Sequence, residues 1–275
     1  MNLLIYSTLN LAFGGGFERW IKEVTPKFVE RGHRVFVVTT KAGDVKDPII
    51  RDYLIKKKVA ITELDNYDRP LTIPKLEELC KFVSLIKSAC DIIYFNNAFA
   101  GNEILMLYIK RVTGIKIIAG YHGIFPQVGG HLRRLYYRTI NKEVSRSFDA
   151  HHVVNSDREK LLLSYRYKNV SLIPNGVDVS KLKPAQKRER FTVLFVGRLN
   201  YQKGFDIFVR IVKYLTKYCE KDIEFVIVGE GSLRYLAEGL SRYDNVKWLG
   251  YVTDNALVEA YQKAHVLVAP SIYYL

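Results

Sequence analysis

The sequence predicts a two-domain α/β protein in which parallel sheets carry helices on both faces. Short apolar runs rich in Val, Ile and Phe alternate along the chain with longer amphipathic stretches, the pattern that parallel sheets require. The alternation breaks at Pro174-Asn175-Gly176-Val177-Asp178 and at the charged, aperiodic stretch 179–190, where turn-forming residues mark a boundary. The length, 275 residues, suits one large or two ordinary domains. We therefore expect an N-terminal domain over 1–178 and a C-terminal one over 190–275.

In the first domain, the opening strand is 3–6, followed by Gly14-Gly15-Gly16 and a helix that stops at Arg31-Gly32-His33. A strand over 34–40 comes next, and short strands are expected near 49–54 and 59–64 within an otherwise polar stretch. Residues 73–87 place Leu76, Leu79, Phe82, Val83 and Ile86 on one helical face. A strand over 91–95, a helix over 103–112 and a strand over 115–120 lead to the loop Tyr121-His122-Gly123. One long helix rich in Arg and Tyr is expected over 131–148. After a strand over 150–154, Ser156 is a good N-cap for a helix over 157–164. A strand over 170–173 closes the domain. The second domain reads as strands over 191–197, 223–228, 246–249 and 266–269, with helices over 203–218, from 232, and over 254–263. Four strands and three helices make a thin sheet, so this domain is expected to be incomplete.

A hydrophobic content of 48% supports a buried core, and the net charge of +14 is spread as +8 over residues 1–150 and +6 over 151–275. Such a surplus suits a nucleotide diphosphate, an acidic lipid surface or nucleic acid. Nucleic acid ranks last, since no aromatic-studded RNA-binding strand or zinc finger is present. Cys80, Cys90 and Cys219 form neither a disulfide framework nor a metal cluster, which favours a reducing cytoplasm. No apolar run reaches the ~18–20 residues of a membrane span, and the N-terminus lacks a signal-peptide pattern. The expectation is a cytoplasmic protein, with peripheral membrane contact left open.

The chemistry concentrates where strands end. The apolar run 193–197 closes on Gly197-Arg198-Leu199, and Lys203-Gly204 follows at the start of the expected helix. Cations there oppose the helix dipole unless an anion such as a phosphate sits between them. Asp206 offsets this in part, and two solvated surface cations are the plain alternative. Gly14-Gly15-Gly16 lies between a strand and a helix, where backbone amides can approach a phosphate; a flexible loop explains it equally. NAD is disfavoured, because the third glycine of its fingerprint is missing and the second strand ends in Thr39-Thr40-Lys41 without the ribose-binding acid. His122 follows a strand at the carboxyl edge where open sheets bind ligands, though a solvent-exposed histidine is the bland reading. No Asp-x-Asp occurs, which argues against a metal held on a diphosphate and leaves Arg198 and Lys203 to supply positive charge. Gly229-Glu230-Gly231 suits either a nucleoside cradle or a tight turn. The cations and tyrosines of 131–138 fit a membrane-surface patch or an ordinary helix with snorkelling arginines. His151-His152 reads as strand, not as a metal site.

Several motifs in order then carry a resemblance. The first glycine loop through Glu18-Arg19, Tyr121-His122-Gly123, Pro174-Asn175-Gly176-Val177-Asp178, Gly197-Arg198-Leu199 with Lys203-Gly204, Val228-Gly229-Glu230-Gly231, Leu249-Gly250-Tyr251 and Ala269-Pro270-Ser271 span nearly the whole chain. In this order they resemble the retaining, nucleotide-sugar-dependent glycosyltransferases of family 4, with two Rossmann-like domains in the GT-B arrangement. The resemblance implies that Gly15 and Gly16 lie against the donor diphosphate and that Arg198 and Lys203 neutralise it. It further implies that Gly229, Glu230 and Gly231 with Leu249, Gly250 and Tyr251 hold base and ribose, and that His122 contacts the transferred sugar. The implied partners are a nucleotide-diphosphate-sugar co-substrate and a glycan or lipid-linked acceptor, with no other cofactor and no metal. The family's Glu-x7-Glu motif, expected after Pro270-Ser271, is absent from these 275 residues. Either the chain transfers sugar, or it is a non-catalytic nucleotide-sugar-binding or partner subunit of the same fold.

Overall fold

Seven parallel strands make the first sheet: β1 (Asn2–Tyr6), β2 (Arg34–Thr40), β3 (Ala60–Leu64), β4 (Ile92–Asn96), β5 (Lys116–Tyr121), β6 (Ala150–Val153) and β7 (Val170–Leu172). Their spatial order is β3-β2-β1-β4-β5-β6-β7. The helices between them are α1 (Gly16–Glu30), α2 (Ile49–Lys56), α3 (Leu76–Ala89), α4 (Asn102–Thr113), α5 (His131–Arg138), α6 (Ile140–Ser145) and α7 (Asp157–Ser164). Alternate residues of each strand enter different cores. Leu3 and Ile5 pack with Phe17, Ile21, Val37 and Ile50, whereas Leu4 and Tyr6 pack with Phe82, Phe95 and Met106. Burial on both faces explains why the strands read as unbroken apolar runs.

The second sheet has the order β10-β9-β8-β11, from β8 (Phe191–Val196), β9 (Ile223–Val228), β10 (Val246–Trp248) and β11 (Val266–Leu267), with α8 (Phe205–Tyr218), α9 (Arg234–Leu240) and α10 (Asp254–Lys263). Phe195, Phe205, Phe208 and Phe225 fill one face of this sheet. The other face holds the smaller cluster of Leu194, Val226, Val228, Ala260 and Ala264. This computed structural model describes residues 1–13, 15–41, 49–67, 73–97, 101–122, 131–181, 183–219 and 221–272, and they divide into two compact units, Met1–Gly176 and Val177–Leu275.

Three local expectations are corrected. Residues 49–54 begin a helix, not a strand. Ile50 and Leu54, four apart, are both fully buried while Arg51 and Asp52 are exposed, which is helical spacing. The long helix over 131–148 is two, α5 and α6, broken at Thr139. The Thr139 hydroxyl donates to the Leu135 carbonyl at 2.8 Å, the back-bonding that bends helices. Lys203 precedes its helix: it ends a 3-10 turn, Tyr201–Lys203, and Gly204 at φ 65° separates that turn from α8. Ser156 caps α7 as expected, accepting the Glu159 N–H at 3.3 Å.

Candidate functional site

In the first unit the strand order reverses between β1 and β4, and open α/β sheets bind ligands at the carboxyl ends beside such a point. His122 directly follows β5 and is half-buried. The ring edges of α1 enclose it: Phe17 and Trp20 meet the imidazole edge-on at 4.8 and 5.0 Å between centroids. Gly15 is the N-cap of α1 and Gly16 its first residue. The glycine turn and His122 are therefore brought together, since the residue after Gly16 touches the imidazole. Gly14 and Gly123 lie outside the described residues.

A residue that the motif set includes without a role shapes this turn. Glu18 is buried in the first turn of α1. Burial pushes its carboxyl up, opposed in part by hydrogen bonds from the backbone N–H groups of Glu18 itself and Gly15. The amides of Gly16 and Phe17, at the first two helical positions, have no intrahelical partner and are the ones left to meet an anion.

Behind His122 runs a chain of polar contacts. Tyr94 Oη lies 2.8 Å from His122 Nε2 and 2.8 Å from His152 Nδ1, and His152 Nε2 lies 2.9 Å from the Ile173 carbonyl oxygen. The contacts cross the sheet from β4 to β6 over Gly120 of β5, where a Cβ would stand 2.1 Å from Tyr94 Oη. Burial, and secondarily the neighbouring His152, push the His122 imidazole down to about 3. It is uncharged at neutral pH and cannot neutralise a phosphate. Tyr94 and His152 were not legible as partners, because periodicity does not reveal contacts across an intervening strand; Gly120 inside a strand was the available signal.

In the second unit, the ends of β8, β9 and β10 are laced together by backbone. Leu199 N–H donates to the Glu230 carbonyl at 3.0 Å, and Leu233 N–H to the Leu199 carbonyl at 2.8 Å. Gly229 N–H donates to the Gly250 carbonyl at 2.8 Å, while Trp248 Nε1–H donates to the Gly229 carbonyl at 3.0 Å. A Cβ on Gly229 would stand 1.9 Å from the Gly197 carbonyl oxygen, and one on Gly231 2.4 Å from that of Leu199. The predicted residues Gly229, Glu230, Gly231 and Gly250 thus come together, with a carboxylate oxygen of Glu230 beside Gly250. Leu249 and Tyr251 flank them with exposed side chains.

Arg198 and Lys203 lie on the same loop after β8. The Arg198 guanidinium is exposed and donates to Gln202 Oε1 at 3.4 Å. Asn200 orders the loop by accepting the Lys203 N–H at 2.9 Å. Among the described residues neither cation has a carboxylate partner, so the loop presents positive charge outside any ion pair next to the start of α8, where Asp206 pairs instead with Arg210 at 3.8 Å. Among the described residues no group of three or more His, Cys, Asp or Glu side chains is placed to hold a metal ion.

Comparisons with known proteins bear on the family and the fold. The family model for Glycosyltransferase Family 4 matches residues 14–181, and that for Glycosyl transferases group 1 matches residues 178–273. One subunit of the human phosphatidylinositol N-acetylglucosaminyltransferase is 26% identical over 94% of this chain and 54% of its own length. A Campylobacter jejuni α-1,4-N-acetyl-D-galactosaminyltransferase, named for an undecaprenol-diphosphate-linked acceptor, is 26% identical over 96% of this chain and 70% of its own. The chain spans 54 to 59% of the phosphatidylinositol N-acetylglucosaminyltransferase relatives it matches. Among solved structures, Anabaena HepE in complex with UDP and glucose superposes over 98% of this chain and 74% of its own, with a TM-score of 0.72 and 15% identity. Sucrose-phosphate synthase from Thermosynechococcus elongatus superposes over 99% of this chain and 76% of its own, with a TM-score of 0.73 and 20% identity. At these identities the structural likeness speaks to the fold, two Rossmann-like domains of the GT-B kind.

Proposed function

Because the chain belongs to glycosyltransferase family 4, we propose that it moves a sugar from a nucleotide-diphosphate sugar to a glycan or lipid-linked acceptor, with retention at the anomeric carbon. The observation that carries the donor half is the pair Arg198 and Lys203, two cations without a carboxylate partner among the described residues, beside a helix start. Placed against the diphosphate, they stabilise the charge that develops as the nucleotide leaves, the largest kind of catalytic contribution in such sites. No metal or further cofactor is needed for that role. Within the second unit, Glu230 and the Gly250 turn are assigned to ribose and base; within the first, the amides of Gly16 and Phe17 are available to an anion and His122 to a sugar.

The acceptor side draws on the relatives, whose names specify phosphatidylinositol and undecaprenol-diphosphate-linked glycans. A lipid-linked acceptor would bring the protein to a membrane surface, in keeping with a net charge of +14. Among the described residues no helix is long and apolar enough to cross a membrane.

The test is a panel of nucleotide sugars screened by thermal stabilisation, followed by Arg198→Ala. Loss of a charge-assisted hydrogen bond is expected to weaken donor binding by about 10- to 100-fold. If Arg198→Ala and Lys203→Ala bind the donor as the parent does, the assigned site is wrong. A second reading, a binding subunit without turnover, draws on the relatives named as subunits of a larger transferase; product formation by the purified chain excludes it.

A further inference from the structure

We infer that Tyr94 and His152 are positioning residues that lock the His122 imidazole with its proton on Nε2, so that Nδ1 offers a lone pair to a hydroxyl of the substrate. The inference rests on the reading of His122 as a sugar-contacting residue, and it names the group that this residue can accept.

The direction of every bond follows from the one end that allows no choice. The Ile173 carbonyl can only accept, so His152 Nε2, 2.9 Å away, carries the proton. When the ring carries that one proton and no other, His152 Nδ1 is an acceptor, and the Tyr94 hydroxyl at 2.8 Å must donate to it. A tyrosine hydroxyl has a single proton. With that proton committed to His152, Tyr94 Oη can only accept from its other neighbour, so His122 Nε2, also at 2.8 Å, must be the donor. His122 Nδ1 is left without a proton and, among the described residues, without a partner.

The surroundings hold this arrangement. Tyr94 and His152 are buried, and Tyr94 stacks on Trp20 at 4.9 Å. Burial raises the Tyr94 hydroxyl, which therefore keeps its proton. Phe17 and Trp20 flank His122 and limit its rotation. The path exists only because Gly120 has no side chain. An unprotonated Nδ1 on an uncharged ring favours a neutral hydroxyl and disfavours a phosphate or carboxylate oxygen, which offers it no proton. His122 is therefore assigned to a sugar hydroxyl and not to a diphosphate.

The test is the tautomer itself. Protein labelled with ¹⁵N in the imidazole rings is read by two-bond proton–nitrogen correlation, where the expected parent spectrum shows His122 protonated at Nε2 and bare at Nδ1. Tyr94→Phe keeps the ring stack and removes the hydroxyl; His122 is expected to become a mixture of tautomers. With whichever nucleotide sugar the screen yields, kcat/KM should fall about five- to tenfold, the worth of one misoriented neutral hydrogen bond, while binding of the free nucleoside diphosphate stays at the parent value. His152→Asn places an amide oxygen where Nδ1 stood and should keep the parent tautomer, whereas His152→Phe should not. A parent His122 protonated at Nδ1, or a Tyr94→Phe spectrum identical to the parent, overturns the inference, and the parent spectrum decides even if a variant does not fold. Absence of turnover with every nucleotide sugar would overturn the transfer reading alone, since the tautomer is measured without substrate.

Discussion

Gly16 is a glycine that the protein does not need for itself. A Cβ there would meet no atom within 4 Å among the described residues, and its place at the start of α1 demands no left-handed backbone. Gly16→Ala is expected to leave the thermal midpoint unchanged or slightly higher, since alanine is the better helix former by up to about 1 kcal/mol. Donor affinity should nonetheless drop, because the methyl group occupies the space a phosphate would use. Unchanged affinity would return the turn to the plain flexible loop that the sequence equally allowed. Glu224 makes the opposite kind of prediction, one of stability alone. Burial raises its carboxyl, but the hydrogen bond from Lys247 and the charge of Arg188 outweigh that and hold it below the usual range. A carboxylate lowered in the folded state contributes stability that is present above its ordinary value of about 4.3 and is lost as pH falls through the folded value. Glu224→Gln should therefore cost about 1–3 kcal/mol at neutral pH, and its urea-unfolding curve should converge on the parent's once pH has fallen below the lowered folded value. A constant gap down to that pH would mean the residue acts by packing alone. At this scale the sequence exposed the cations and glycines but not the roles of Glu18, Tyr94 and His152, which depend on burial and on neighbours distant in the chain.

Among the elements, the three strand-end turns of the second unit show why one glycine motif admits two readings. Gly229 and Gly231 read equally as a nucleoside cradle or as tight turns, and the packing accounts for both glycines without any ligand. Gly229 has φ 132° and lies against the Gly197 carbonyl, and Gly204 has φ 65° and lies against the Pro270 carbonyl. Gly229→Ala is expected to destabilise the second unit by about 2–4 kcal/mol through strain and displaced backbone. Trp248 reports on it directly, because its indole N–H is bonded to the Gly229 carbonyl; its fluorescence should shift in native buffer. A variant as stable as the parent would mean that the turn yields easily. Strand positions were largely legible because doubly buried strands are continuous apolar runs. The short elements were less so: among its described side chains α2 presents one fully buried pair to read, Ile50 and Leu54, and the break between α5 and α6 comes with a threonine back-bond.

At the level of the whole molecule, alternation of strand and helix was enough to foresee parallel sheets, whereas the strand order that puts β1 beside β4 depends on pairings that local pattern does not encode. Charge is legible at once, and it carries the last prediction. The surplus of +14 is shared by both halves of the chain, so it acts as a broad field more than as a tail. On α4, Ile104, Tyr108 and Val112 stand exposed four residues apart, beside the exposed Arg111. An anionic membrane attracts each nearby Lys or Arg by about 1 kcal/mol, an attraction that fades beyond a Debye length of about 8 Å at physiological salt. Exposed apolar side chains add a contribution that salt does not screen. If the acceptor is lipid-linked, the protein should co-sediment with vesicles containing acidic phospholipid at low salt, and weakly with purely zwitterionic ones. Raising the salt should release most of it, and Arg111→Glu should lower the bound fraction at low salt while Tyr108→Ser lowers the salt-resistant remainder. Equal binding to acidic and zwitterionic vesicles would show that charge does not recruit the protein. No binding to either would leave a soluble acceptor as the better reading, with the surplus charge serving the nucleotide diphosphate alone.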